Sequence, residues 1–368
     1  MYYPKGSPAS DFIRKRLPAL FEFVNASTTP PVKIAMWFPG LDWLRVIFIA
    51  LVVSIHLNIA QEFAQASGNA NSLTGYDILF SQVFCMAVPG FLLIAVFLQA
   101  IKNSDWGIVR ARLVDTVFLY AFWVGSWIVW THGRPENGVI GLIMFFLKGG
   151  GWAFYFFMVL LIANIVFAIF HKFPNKVLWL GLFLTSSLVM GAFLTMALKS
   201  HAWTRIETYW WPISFLPIPF MAILLARHWP ALNVTPGLYR GILCAALVLS
   251  VAAGIFEWCF AANATIAAKE PLRPFLPPYL RISPMLIAFT AVLAVLKIRF
   301  APQWIRFIAW NSLGIFCLHV FILRGLHQMI ASVAGPSEWS LFLTLVVVLV
   351  GGAFATEFVR KLFRERLV

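Results

Sequence analysis

Apolar residues run along this chain in long blocks rather than in alternation. Ten blocks, each of roughly the 17–25 residues that cross a membrane, are separated by short polar or basic stretches. They fall at 41–60, 78–101, 113–131, 152–171, 177–198, 210–227, 238–261, 282–298, 305–331 and 339–359. At a rise of about 1.5 Å per residue such a block matches a hydrocarbon layer about 30 Å thick. Within that layer every backbone N–H and C=O needs an internal partner, which a helix supplies by itself. The pattern therefore predicts an all-α fold, a polytopic membrane helical bundle of about ten transmembrane helices. The apolar stretch 138–148 is too short to cross and reads as a re-entrant or interfacial piece leading into Gly149-Gly150-Gly151. The segment 262–281, with Pro271, Pro274, Pro277 and Pro278, reads as ordered extended chain near the membrane surface.

Composition narrows the class further. Hydrophobic residues make up 61% and charged residues 11% of the 368 positions, against about 25% charged in a soluble domain. A soluble enzyme, a nucleic-acid-binding domain and a disordered chain are excluded on that ground. The first 36 residues are polar, basic and Pro-containing rather than a short apolar leader, so the first block is expected to remain as a helix. The expected organisation is a cytoplasmic segment over 1–36, one membrane domain over 37–360 and a basic cytoplasmic tail over 361–368.

The net charge of +14 matters through its distribution. With the N-terminus inside, nineteen Lys and Arg fall in cytoplasmic segments against seven outside, the bias that sets membrane topology. Both termini are expected in the cytoplasm, and no nucleic-acid partner is called for. Cys85, Cys244, Cys259 and Cys317 lie inside apolar blocks without CxxC spacing, so they are expected to be small buried residues with neither disulfide nor metal roles.

Ionisable side chains inside hydrocarbon are costly, which makes each one a functional candidate. The first block carries Asp42, Arg45 and His56. Arg45 and His56 are eleven apart, close to three full helical turns, so they share one face about 16 Å apart along the axis. Asp42, three residues before Arg45, is placed to pair with it. A buried neutral imidazole suits a general base; it serves equally as a hydrogen-bonding partner for a neighbouring helix. His319 in the ninth block lies at a depth matching His56, with Ser312 two turns earlier, and again a shared site and a structural bond both fit. Glu257, late in the seventh block, can orient His56, bind hydroxyls or pair with Arg273 or Arg281. Trp130, Trp203, Trp210, Trp211 and Trp258 fit an interfacial belt, and the polar run His201 to Glu207 lies on the same side.

The stretch Leu41-Asp42-Trp43-Leu44-Arg45 to His56 resembles the Leu-Asp-x-Leu-Arg and Arg-x10-His signature of the acyltransferase 3 membrane family. Val88-Pro89-Gly90-Phe91 is similar to that family's Val-Pro-x-Phe segment, with Ala95-Val96 in place of its Ser-Gly pair. Asn311-Ser312-Leu313-Gly314-Ile315-Phe316-Cys317-Leu318-His319 resembles its Asn-Ser-x-x-Ile-Tyr-Leu-x-His. The basic second cytoplasmic loop is reduced to Arg110-x-Arg112, and the middle-span motif becomes Gly151-Trp152-Ala153-Phe154-Tyr155.

The resemblance implies an integral O-acyltransferase of the bacterial inner membrane. It would move an acyl group, acetyl first among candidates, from cytoplasmic acyl-CoA to a hydroxyl of a surface glycan or glycolipid. By the same resemblance His56 is the catalytic residue, as general base or as covalent acyl carrier. Arg45, Arg110 and Arg112 are acyl-CoA-binding candidates, since guanidinium pairs well with phosphate; Asp42, Ser312, His319 and Glu257 are supporting or acceptor-side candidates. No bound cofactor or metal is expected beyond acetyl-CoA or another acyl-CoA as co-substrate, and the expected partners are membrane lipids, the glycan acceptor and a polysaccharide synthesis or export complex. Two rival readings fit the same buried charges: a transporter or flippase for a lipid-linked sugar, and an inactive membrane subunit of a polysaccharide assembly complex. No GxSxG elbow, HExxH site or Walker loop is present.

Overall fold

The computed structural model describes residues 37–57, 82–102, 106–131, 138, 141, 145–146, 154–198, 212–267, 279–335 and 337–362. The described residues form helices and no strand. In chain order these are α1 (Pro39–His56), α2 (Ala87–Ile101), α3 (Trp106–Thr131), α4 (Tyr155–Phe170), α5 (Asn175–Leu198), α6 (Pro217–Val234), α7 (Pro236–Ala267), α8 (Ser283–Val295), α9 (Gln303–Trp310), α10 (Ser312–Ala334) and α11 (Glu338–Leu362). A helix occupies each of the ten predicted positions. Among the described residues seven helices are long and apolar enough to cross a membrane, or eight if a bent pair counts as one span, and α4 and α8 are shorter apolar helices. The protein is an all-α polytopic membrane bundle.

The predicted ninth span departs from a single rod. It is α9 and α10, bent by 65° at Asn311. Gln303–Trp310 is amphipathic: Ile305, Ile308 and Ala309 are buried while Trp304 and Trp310 are exposed. Such an eight-residue piece buries only one face and lies at an angle to the helix that follows. At the break the Asn311 side chain donates to the Phe307 carbonyl at 2.9 Å, satisfying an acceptor where the axis changes direction.

Helix α1 is central, packing against α2, α8, α9, α10 and α11. Its seat on α8 depends on Gly40, where an added Cβ would come within 1.9 Å of the Val295 carbonyl oxygen. In α2, Gly90 faces the fully buried Phe48 ring of α1, 2.2 Å from where a Cβ would stand. Backbone cannot yield as a side-chain tip does. Gly40→Ala is therefore expected to destabilise by about 1–3 kcal/mol, read as a lower thermal midpoint of the purified protein in detergent; an unchanged midpoint would contradict this packing.

Contacts tie one end of the bundle together. Phe38 packs on Phe97 and on Trp229, Trp229 on Tyr239, and Lys297 stacks on Tyr239. Arg306 lies 4.2 Å over the Trp37 ring, and Arg227 donates to Asn175 and to the His171 carbonyl. Arg360 pairs with Glu357 and lies over Trp310. These belong to segments the charge count assigned to one side. His56, at the C-terminal end of α1, lies toward the opposite end.

Long outward faces are apolar. On α7, Leu247, Val248, Val251, Ile255 and Phe256 are exposed, as lipid contact requires. That face also corrects one expectation: Cys244 and Cys259 are exposed on α7, while Cys85 and Cys317 are buried, all four as free thiols. The stretch 138–148 lies mostly outside the described residues, with Gly138, Gly141, Phe145 and Phe146 helical. Of 262–281, the first part continues α7 to Ala267 instead of being extended, and 268–278 lies outside the described residues, as do 1–36 and the end of the basic tail.

Candidate functional site

The N-terminal turn of α1 builds a charged cluster. Phe38 is the N-cap with Pro39 and Gly40 opening the helix, and the acidic Asp42 in the first turn suits the positive end of the helix dipole. Asp42 Oδ1 lies 3.5 Å from Arg45 Nη1. Its other oxygen accepts from Trp37 Nε1 at 2.9 Å. The Arg45 side chain is 27% exposed, and a guanidinium has five N–H donors, so one carboxylate contact leaves donors for an anion. The Asp42–Arg45 pairing anticipated from the spacing is present.

Unbroken α1 carries the same face from Arg45 to His56. There the α10 helix brings its own histidine alongside: the ring centroids of His56 and His319 are 5.0 Å apart, with planes at 49°. Residues 263 positions apart in sequence thus meet because α10 packs along α1. His56 is half-buried and His319 fully buried. The His319 Nδ1 lies 2.5 Å from the Phe316 carbonyl oxygen, a bond within its own helix rather than one to Ser312. Ser312 is buried in the first turn of α10, below the break.

Aromatic rings line the surroundings. Phe316 packs on His319 and on Phe156, and Phe321 lies against Trp123, Trp127, Trp130 and Phe154. Of the predicted belt, Trp130 is exposed at its helix end. Trp203, Trp210, Trp211 and the run His201 to Glu207 lie outside the described residues.

Arg110 and Arg112 behave differently from each other. Arg110 is exposed on α3. Arg112 is half-buried and donates to the buried Gln99 side chain of α2 at 3.4 Å. Neither is brought against Asp42 or Arg45 by a described contact.

Glu257 belongs to a separate buried network. Its Oε1 accepts from the backbone N–H of Ile282 and Ser283 at 2.7 and 3.0 Å, and Oε2 accepts from the Ser283 hydroxyl. Arg281 Nη1 lies 3.9 Å from Oε2, with both side chains wholly buried. The Gln82 amide is oriented by its neighbours, because Trp258 Nε1 and Arg281 Nη1 only donate. Its oxygen accepts from them at 2.7 and 3.2 Å while its nitrogen donates to Ser283 Oγ. Glu257 thus acts as a remote cap for the start of α8. Of the two arginines offered by sequence, Arg281 is the observed partner, and Arg273 lies outside the described residues. Arg281, one of the seven basic residues expected outside, is wholly buried, and the Glu257 carboxylate together with the Gln82 oxygen offsets the cost of that burial. Trp258 likewise leaves the belt for this network. Sequence reasoning missed Gln82, Ser283 and Gln99, which are single polar residues without a local partner to announce them.

The site thus lies in a polytopic membrane helix bundle, with Arg45 and His56 on one face of α1 and His319 beside His56. The family model of the acyltransferase domain, acyltransferase 3, matches residues 38–358. The chain belongs to that family, and the protein is a membrane acyltransferase. No curated protein and no solved structure matches it.

Proposed function

We propose that the protein transfers an acyl group from cytoplasmic acyl-CoA, acetyl-CoA first among candidates, to a hydroxyl of a surface or exported glycan, with His56 at the reacting centre. The carrying observation is the continuous α1 face, with Arg45 fixed by Asp42 at one end and His56 beside His319 at the other. CoA has phosphates at one extremity and a thioester at the tip of a long arm. Arg45 suits the phosphates, and His56, about 16 Å further along the helix, suits the thioester. His56 serves as general base on the acceptor hydroxyl. Arg110 and Arg112 extend positive potential at the donor end. Glu257 supports the acceptor end by holding α8 in place. The location that fits is a bacterial inner membrane with both termini in the cytoplasm, where the basic end of the bundle faces the donor.

The test is transfer of radiolabelled acetyl from acetyl-CoA in sealed vesicles of both orientations. Label is expected on glycan when donor is supplied to the face bearing Arg45, and not when supplied to the other face. Silence across a panel of acyl-CoA donors with native glycan present would overturn the reading. Arg45→Lys is expected to raise KM for acyl-CoA about tenfold and Arg45→Ala about ten- to a hundredfold, with kcat little changed. Equal KM values in the wild type and both variants would remove Arg45 from the donor site.

A further inference from the structure

The His319 side chain is 0% exposed, and its Nδ1 lies at 2.5 Å from a carbonyl oxygen. A carbonyl oxygen only accepts, so Nδ1 carries the hydrogen and Nε2 carries the lone pair. That Nε2 is buried, and among the described residues nothing satisfies it. A buried acceptor left without a donor costs about 1–3 kcal/mol, so this nitrogen calls for an N–H. The ring beside it is His56. Its ring centroid is 5.0 Å from that of His319, with planes at 49°, near enough for an N–H···N bond of roughly 2.9 Å once the His56 ring turns toward Nε2.

We infer that His319 is a positioning residue that sets the tautomer of His56 by accepting its N–H. The inference rests on the reading of His56 as the transfer residue. A neutral imidazole has one N–H and one lone pair. With the N–H given to His319, the other nitrogen of His56 becomes the basic one. His56 is half-buried and His319 wholly enclosed, so substrate meets His56 and His319 acts through it. In the step itself the acceptor oxygen bonds to the acyl carbon and its proton passes to the lone-pair nitrogen of His56. The thioester C–S bond breaks, and the electron pair leaves with the CoA sulfur, which then takes the proton from the His56 imidazolium. While charged, His56 keeps its second N–H on His319 Nε2, and a charge-assisted bond of that kind is about twice as strong as a neutral one. The Phe316 carbonyl is thereby part of the device, since it decides which nitrogen of His319 can accept.

The experiment is 15N spectroscopy of histidine-labelled full-length protein in bilayers, with His56 and His319 assigned by difference against variants lacking each. In the wild type, His319 is expected as the Nδ1–H tautomer and His56 as one tautomer. His319→Leu is expected to leave His56 as a mixture of tautomers and to lower kcat about a hundredfold with KM for acyl-CoA unchanged. His319→Gln, whose side-chain oxygen replaces Nε2 as an acceptor, is expected to restore one tautomer and at least tenfold of the rate. An Nε2–H tautomer at His319 in the wild type would overturn the inference before any variant is made. So would a single His56 tautomer persisting in His319→Leu, or equal rates for folded Leu and Gln variants. If the spectra behave as expected but transfer survives His56→Ala, the catalytic reading fails while the tautomer coupling stands.

Discussion

His56→Ala is expected to lower acyl transfer by about 10²–10⁴-fold, the range that a positioned general base contributes. The protein should remain in the membrane, destabilised by no more than about 1–3 kcal/mol, the cost of an unpartnered His319 Nε2. His56 occupies the last turn of α1 and is half-buried, so its removal leaves the helix's main seat, Leu41, Leu44, Phe48, Ile49, Val52 and Val53, intact. The loss should appear in kcat, because Arg45, the residue proposed to hold the donor, is untouched. His56→Gln should also be inactive, since an amide supplies no basic nitrogen. Measured initial rates with membrane levels matched by immunoblot decide the matter. Transfer at more than a tenth of the wild-type rate in His56→Ala would remove this side chain from the chemistry.

Glu257→Ala is expected to have the largest effect on stability, about 3–5 kcal/mol. The deletion leaves the Arg281 guanidinium wholly buried without its carboxylate, and a guanidinium cannot discharge by losing a proton. It also strips the acceptor from the N–H groups of Ile282 and Ser283 at the start of α8. Glu257→Gln keeps an acceptor but not the charge and should fall between. Glu357→Ala is the control: Glu357 pairs with two cations, Arg360 and Lys361, at a more open position, where a pair contributes about 1 kcal/mol or less. Thermal midpoints of the three variants in one detergent give the comparison. Equal losses for Glu257→Ala and Glu357→Ala would mean that the buried network does not hold α8.

The ten helix positions were legible because bilayer thickness converts span length into a one-dimensional count of apolar residues. The Arg45–His56 face and the Asp42–Arg45 pair were legible for a similar reason: within one helix, spacing alone fixes which side chains share a face. The kink at Asn311 was not. Ile305, Ile308 and Ala309 are apolar enough to extend the following block, and it is the 65° bend that separates α9 from α10. The cysteines illustrate the same limit, since an apolar block does not say which of its faces meets lipid and which meets protein. Cys244 is exposed and Cys317 buried in blocks of similar composition.

The sequence by itself determined the all-α membrane class, the position of each apolar helix, the face that carries Arg45 and His56, and, by resemblance, the family. The first three follow from composition or from spacing within one segment, whereas the family came from the likeness of three separate motifs to known ones. Only the tertiary structure decided that His319 stands beside His56, that Arg281 is the partner of Glu257, and that Gln82 meets Ser283 across 201 positions of chain. Each of those contacts depends on which helices are neighbours and on their rotation about their own axes. In hydrocarbon, where lipid and apolar side chains are equivalent surroundings, that choice is made by close packing such as Gly40 on Val295 and by the need of buried polar groups for partners.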